Sequence, residues 1–172
     1  MPKPVLASLH GAVAGAGMSV ALAADLAIAA DGTRFNFAYS DIGTSCDGGI
    51  SWALPRLVGQ RKALEIAYLS DTFDAAEALR LGLLNRVVEA DRLGEETALL
   101  ARRLAQRETC ALAHLKRLLR ASFERRLSEQ LDCEHAAFVD CARRPGFVAA
   151  IDDFYAKRGP GRRSPATEGD RA

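Results

Sequence analysis

The chain has 172 residues, 49% of them hydrophobic, with 23 Lys and Arg against 22 Asp and Glu. That length supports one domain with a sizeable core. The near-neutral balance gives no global electrostatic attraction to nucleic acid or to an anionic membrane. Arginine is dense only toward the end (Arg143, Arg144, Arg158, Arg162, Arg163), where a solvated face or tail is the ordinary reading. The four cysteines, Cys46, Cys110, Cys133 and Cys141, form no CxxC pair, so neither a zinc site nor a compact disulfide framework is expected. Gly11, Gly15, Asp25 and Asp31 interrupt the apolar start, which fits neither a signal peptide nor a spanning helix. Reduced thiols in a cytoplasmic protein are the expectation.

In chain order, Val5–His10 reads as a buried strand stopping at Gly11, and Gly15-Ala16-Gly17 opens an Ala-rich helix, Met18 to Ala24. Asp25 breaks that helix, Leu26–Ala30 is a second strand, and Thr33–Phe37 has the character of a third. Helices flank a gap around Leu57–Gly59, where Pro55 is expected to interrupt a continuous pattern. Arg61–Leu69 is helical. Asp74 with Glu77 three residues on resembles a capping box, opening a helix that Gly82 closes. Leu83–Val88 follows as a strand. From Asp91 the period is helical, with four segments marked by Leu93–Leu104, Leu112–Leu119, Leu127–Phe138 and Phe147–Tyr155. Pro145-Gly146 divides the last two, residues 159–172 are expected to be disordered, and no internal repeat is evident. Alternating strands and helices followed by helices alone predict an α/β core with a helical appendage.

The G-x-x-x-G-x-G turn at Gly11–Gly17 is the feature most suggestive of chemistry. Glycine permits a tight turn and close approach to the main chain. The helix behind it aims free N–H groups and a positive dipole end at the turn, where an anion or a developing oxyanion is the natural guest. A plain strand–helix connection would serve equally well, and the spacing is not that of a dinucleotide fingerprint.

Lys3-Pro-Val-Leu-Ala-Ser-Leu-His-Gly11, Ala14-Gly-Ala-Gly17 and Ala21-Leu-Ala-Ala-Asp25-Leu-Ala-Ile-Ala29 together resemble the crotonase (enoyl-CoA hydratase/isomerase) superfamily. The likeness continues through Leu54-Pro-Arg-Leu-Val-Gly59, Ala75 to Val88 and Phe154-Tyr-Ala-Lys157, covering the chain to about residue 158. It implies a crotonase-type ββα spiral core over residues 1–90, a helical trimerisation region over 91–158, and a homotrimer or hexamer. It also implies an acyl-CoA thioester as substrate, with no further cofactor. By this resemblance the Ala16 N–H is one oxyanion donor, the other lying in an Ala-Asp-(Ile/Leu)-Lys-like stretch that would precede Met1. The chain is therefore expected to begin inside the family's domain and to lack roughly its first third.

The family's hydratases use two glutamates, and the matching positions here are Ser19 and Tyr39, neither of which does a carboxylate's acid–base work. An alternative carboxylate, Asp47, lies in Gly43-Thr-Ser-Cys-Asp47-Gly-Gly-Ile50. This loop resembles that of Asp-bearing members, above all the isomerase group of the 1,2-epoxyphenylacetyl-CoA isomerase type, and also dihydroxynaphthoyl-CoA synthase and 4-chlorobenzoyl-CoA dehalogenase. In the dehalogenase a tryptophan stands at the position of Tyr39. The resemblance implies that Asp47 is the acid/base of an enoyl-CoA isomerase. Read locally, it is a turn or helix-capping residue. Gly15, Gly17, Ser19, Tyr39, Gly43, Cys46 and Trp52 are the expected substrate-binding positions, with Tyr39 and Trp52 equally suited to ordinary core. Phe154 and Lys157 match coenzyme A contacts, although a surface lysine accounts for Lys157 as well. His10 is expected to be packed or solvent-facing rather than catalytic. A non-catalytic oligomerisation module is the competing reading.

Overall fold

In the computed structural model, which describes residues 1–158, the short apolar runs of the first half become parallel strands in two small sheets. Strand β1 (Leu6–Leu9) pairs with β3 (Leu26–Ala30), and β3 with β6 (Arg86–Val88), all parallel. The second sheet joins β2 (Ala12–Ala14) in parallel to β4 (Arg34–Asn36), and β4 antiparallel to β5 (Phe73–Asp74). The central strand β3 is buried from Ala27 to Ala30, as an uninterrupted apolar run covered on both faces should be.

The second sheet corrects the sequence reading. Ala12–Ala14 belongs to a strand, not to a turn reaching from Gly11 to Gly17. Gly11, at φ +67°, redirects the chain from one sheet to the other. The link from β3 to β4 makes the same passage one layer on, since Leu6 pairs with Leu26 and Ala12 with Arg34. A structural repeat of strand pairs is therefore present, although three residues of alternating Ala and Val were too short to announce it.

Helix α1 (Ala16–Ala23) packs against α2 (Ile50–Val58). Met18 and Ile50, both without solvent exposure, join Phe35, Phe37, Leu54 and Ile66 in the main core. Burying side chains of that size stabilises the fold by about 1.5–3 kcal/mol each. Pro55 does not interrupt α2, contrary to expectation. The N–H it lacks would have met the carbonyl of Ser51, an exposed residue of the first turn where water can replace it. The break falls within the expected gap, at Gly59 (φ +80°), which ends α2 and begins α3 (Gln60–Leu69). Helix α4 (Ala75–Arg80) is capped by Asp74, whose Oδ1 accepts the Glu77 N–H at 2.9 Å. The reciprocal half of the capping box is absent, because the Glu77 carboxylate bonds Arg80. Strand β6 is shorter than expected. Before it, Asn85 accepts the Ala27 N–H on its side chain and donates its own N–H to Ala27, both at 2.8 Å.

Helix α5 (Leu93–Ala105) lies across β1 and β3, with Leu93 buried beside Ile28 and Ala30. In α6 (Thr109–Ala121), Lys116 reaches Asp25 at 2.6 Å, and Asp25 also accepts the Val5 N–H at 2.7 Å. The residue expected only to break α1 thus anchors the start of β1. Two compact units divide between Arg117 and Leu118, so the helical stretch from Asp91 is continuous in secondary structure but not in packing. In the second unit, α7 (Leu127–Ala142) and α8 (Gly146–Arg158) meet through an edge-to-face contact of Phe138 with Phe147. The expected disordered tail lies outside the described residues.

Candidate active site

The site is assembled in the first unit, where a loop between β4 and α2 meets the first turn of α1. Gly15 takes φ +50° and ψ −121° at the cap of α1, a conformation that suits glycine. Its N–H donates to the Asn36 carbonyl at 3.2 Å, fixing the helix start to β4. The N–H groups of Ala16, Gly17 and Met18 open α1 and have no acceptor within the helix. Ala16 and Gly17 are exposed.

Ser19, one turn into α1, is 2% exposed. Its Oγ lies 3.0 Å from the Asp47 carbonyl, 3.4 Å from the Gly15 carbonyl and 3.1 Å from the Tyr39 hydroxyl. Tyr39 is itself buried, packed edge-on against Phe37 at 5.2 Å. Its hydroxyl donates to Asp47 Oδ1 at 2.6 Å. Ser19, Tyr39 and Asp47, separately singled out in the sequence, therefore form one continuous cluster. Asp47 is exposed, and its carboxylate caps no helix: the N-cap of α2 is Gly49, with no side-chain cap. The local reading of a turn holds for the backbone only, through the Ile50 N–H bond to the Asp47 carbonyl at 3.4 Å.

Gly48 explains how the loop can come so close. A β-carbon there would lie 2.7 Å from Ser19 Cβ, and φ is +62°. The Asp-Gly-Gly run is thus a close approach of backbone to helix, a requirement the sequence alone does not disclose. At its other end the loop is held by Ser70, which was not foreseen. Its buried hydroxyl accepts the Ala38 N–H at 2.9 Å and donates to Asp41 Oδ2 at 2.9 Å. Ala38 (φ +65°) and Ser70 (φ +53°) are the non-glycine residues with positive φ among the described residues. Strain of this kind lasts only where the surroundings enforce it.

The remaining expected residues are dispersed. Gly43 (φ +70°) closes the short 3₁₀ turn at Ser40–Ile42 and is exposed. Cys46 is half-buried against the main core. Trp52 is 47% exposed with the Arg56 guanidinium 4.0 Å from its ring centre, so it is not ordinary core. His10 is solvent-facing. Phe154 and Lys157 both fall on α8, in the second unit, where the Phe154 ring meets Tyr155 at 5.5 Å. Among the described residues, no helix is long and apolar enough to cross a membrane.

Comparison with known proteins gives a consistent result. Residues 1–162 match the family model for enoyl-CoA hydratase/isomerase. The chain is 34% identical over 160 residues to 1,2-epoxyphenylacetyl-CoA isomerase of Escherichia coli K12, covering 93% of this chain and 61% of that protein. It is 39% identical over 163 residues to 4-chlorobenzoyl coenzyme A dehalogenase-1 of an Arthrobacter species, covering 90% and 56%. Its fold superposes on the crystal structure of an enoyl-CoA hydratase from Polaromonas sp. JS666 with a TM-score of 0.86 at 38% identity, covering 91% and 61%. The chain thus spans about three fifths of the length of such relatives.

Proposed function

This chain belongs to the enoyl-CoA hydratase/isomerase family, with its crotonase fold, and from that premise we propose that it isomerises an enoyl-CoA thioester through an enolate. The observation that carries the reading is the replacement of a two-carboxylate site by one carboxylate, Asp47, tied through Ser19 to the first turn of α1. Adding water across a double bond needs two positioned acid–base groups, whereas moving a double bond needs one group that removes a proton and returns it elsewhere. Asp47 is that group. The Ala16 N–H, at the positive end of α1, stabilises the oxyanion between the two steps. Gly15 and Gly17 let the thioester approach the backbone, and Gly43, Cys46 and Trp52 border the acyl group.

Coenzyme A is assigned to Phe154 and Lys157. Exposure of Leu127, Leu131 and Phe138 at helical spacing along α7 favours self-association, as a trimer or hexamer. The four cysteines, all present as thiols rather than disulfides, favour a reducing, cytoplasmic setting.

The test is conversion of a 3-enoyl-CoA to the conjugated 2-enoyl-CoA by the purified chain, repeated with Asp47→Asn. Activity lost in the variant is the expected result. Full activity there, or a 3-hydroxyacyl product from the parent chain, would overturn the reading. The 39% identity to a dehalogenase supports a second reading, direct attack by Asp47 on an aryl carbon. Release of chloride from 4-chlorobenzoyl-CoA distinguishes it.

A further inference from the structure

Tyr39 is more than a pocket wall: we propose that it is the positioning residue that reserves one oxygen of Asp47 for proton transfer, an inference that rests on the isomerase reading above. The Tyr39 hydroxyl holds Oδ1 at 2.6 Å, and Oδ2 takes no partner among the described residues. A hydroxyl bound this closely to a carboxylate forms a charge-assisted hydrogen bond, stronger than a neutral one. Rotation about Cβ–Cγ would exchange the two oxygens and break it. The phenol cannot follow such a rotation, because its ring is buried against Phe37 and its oxygen lies 3.1 Å from Ser19 Oγ. Ser19 in turn is seated by the Asp47 and Gly15 carbonyls.

The consequence is a defined path for one proton. A substrate C–H bond breaks and an O–H bond forms on Asp47 Oδ2, while the electron pair moves into the thioester enolate. That O–H bond then breaks, a C–H bond forms at the other terminus of the allylic system, and the carboxylate is regenerated. Oδ2 carries the proton throughout, since Oδ1 remains bonded to Tyr39 in both charge states. The same proton is therefore returned, on the face from which it left. Positions that in hydratases of this family would hold two carboxylates here hold the clamp on a third.

The experiment follows substrate deuterated at the carbon that loses the proton, and measures both turnover and the fraction of label retained in the product. Tyr39→Phe keeps the buried ring and removes only the hydroxyl. We expect kcat to fall roughly ten- to a hundredfold, the worth of a hydrogen bond to a charged group, with KM changed much less. Label retention should also fall, because an unclamped carboxyl can rotate and exchange with solvent. A structural defect alone would lower kcat and leave retention in each surviving turnover unchanged, and that result overturns the proposal. Wild-type kcat and retention in Tyr39→Phe, with Asp47→Asn inactive, overturn it while leaving the isomerase reading intact. An unimpaired Asp47→Asn removes both. Ser19→Ala provides the same readout one bond further out, and should show a smaller loss of retention even where Tyr39→Phe folds poorly.

Discussion

Two buried serines hold the ends of the loop that carries Asp47, and they differ in what they leave open. Ser70 receives the Ala38 N–H and donates to the exposed Asp41 carboxylate, with Asn36 donating to its carbonyl, so its cluster braces the loop against the end of α3. Ser19 bonds the Asp47 carbonyl and neighbours Tyr39, and its cluster ends at a carboxylate with one oxygen exposed beside a helix N-terminus. The residue types are the same, and so is the burial. Both clusters end on an exposed carboxylate, and the difference is that the Ser19 cluster is built on the first turn of α1, where backbone N–H groups lack acceptors within the helix. A cluster that only braces the backbone rigidifies, whereas one with a carboxylate and such N–H groups can act on a substrate.

The contrast is broken most severely at Asp47. Asp47→Asn should reduce isomerase turnover by about 10²–10⁴, the usual contribution of a positioned acid–base group, with an almost unchanged melting temperature because the side chain is exposed. A large loss of stability in that variant would mean that the Ser19 cluster is as structural as the Ser70 cluster. Gly48→Ala attacks the contact that brings the loop to Ser19. The new β-carbon clashes with Ser19 Cβ and must also adopt a left-handed conformation. Together these should cost about 2–4 kcal/mol, measured by denaturant unfolding, with turnover lowered in the folded fraction. Wild-type stability would show that the loop approaches α1 less closely than described.

Ser70→Ala sharpens the comparison from the other cluster. It leaves the Ala38 N–H and the Asp41 carboxylate each short of a partner, and should destabilise by about 1–3 kcal/mol. Turnover per folded molecule should change less than in Ser19→Ala, whose pattern is expected to be the reverse: small in stability and larger in turnover. Equal patterns in the two variants would erase the distinction between the clusters.

Part of this arrangement was legible in the sequence. Leu26–Ala30 was plain as a strand because an apolar run covered on both faces has no need of alternation. The Asp74 cap was plain because capping is local. Asp47, Ser19 and Tyr39 could be singled out only by family likeness, since Ser19 meets partners 20 and 28 positions along the chain. Nothing local signals Ser70, whose partners lie 29 to 34 residues away and whose identity as a helix-ending serine is commonplace. Strand β2 was lost because its three small residues between two glycines resemble a turn until a partner strand is in place. Pro55 misled in the opposite direction: the general rule against proline within a helix takes no account of whether the deserted carbonyl faces water.

The smallest effect tests the comparison at an ion pair that water can reach. Glu77 and Arg80, three residues apart on the exposed face of α4, meet through the guanidinium Nε at 2.6 Å. The hydrogen bond from Arg80 holds the Glu77 carboxyl below its ordinary value, with partial burial opposing and the charge of Arg80 assisting. A carboxyl whose value is lower in the folded chain stabilises it above the unfolded value, about 4.3, and that stabilisation disappears as pH falls through the folded value. Glu77→Gln should therefore lower the melting temperature slightly at neutral pH, and the gap from the parent chain should close in acid. Added salt should narrow it too, because exposed charges are screened. A gap that persists in strong acid would assign the effect to packing of α4 rather than to the ion pair. Short as it is, this bond is made in full competition with water, so it should matter less than the longer hydroxyl contacts of Ser19 and Ser70, where water cannot take the place of the missing partner.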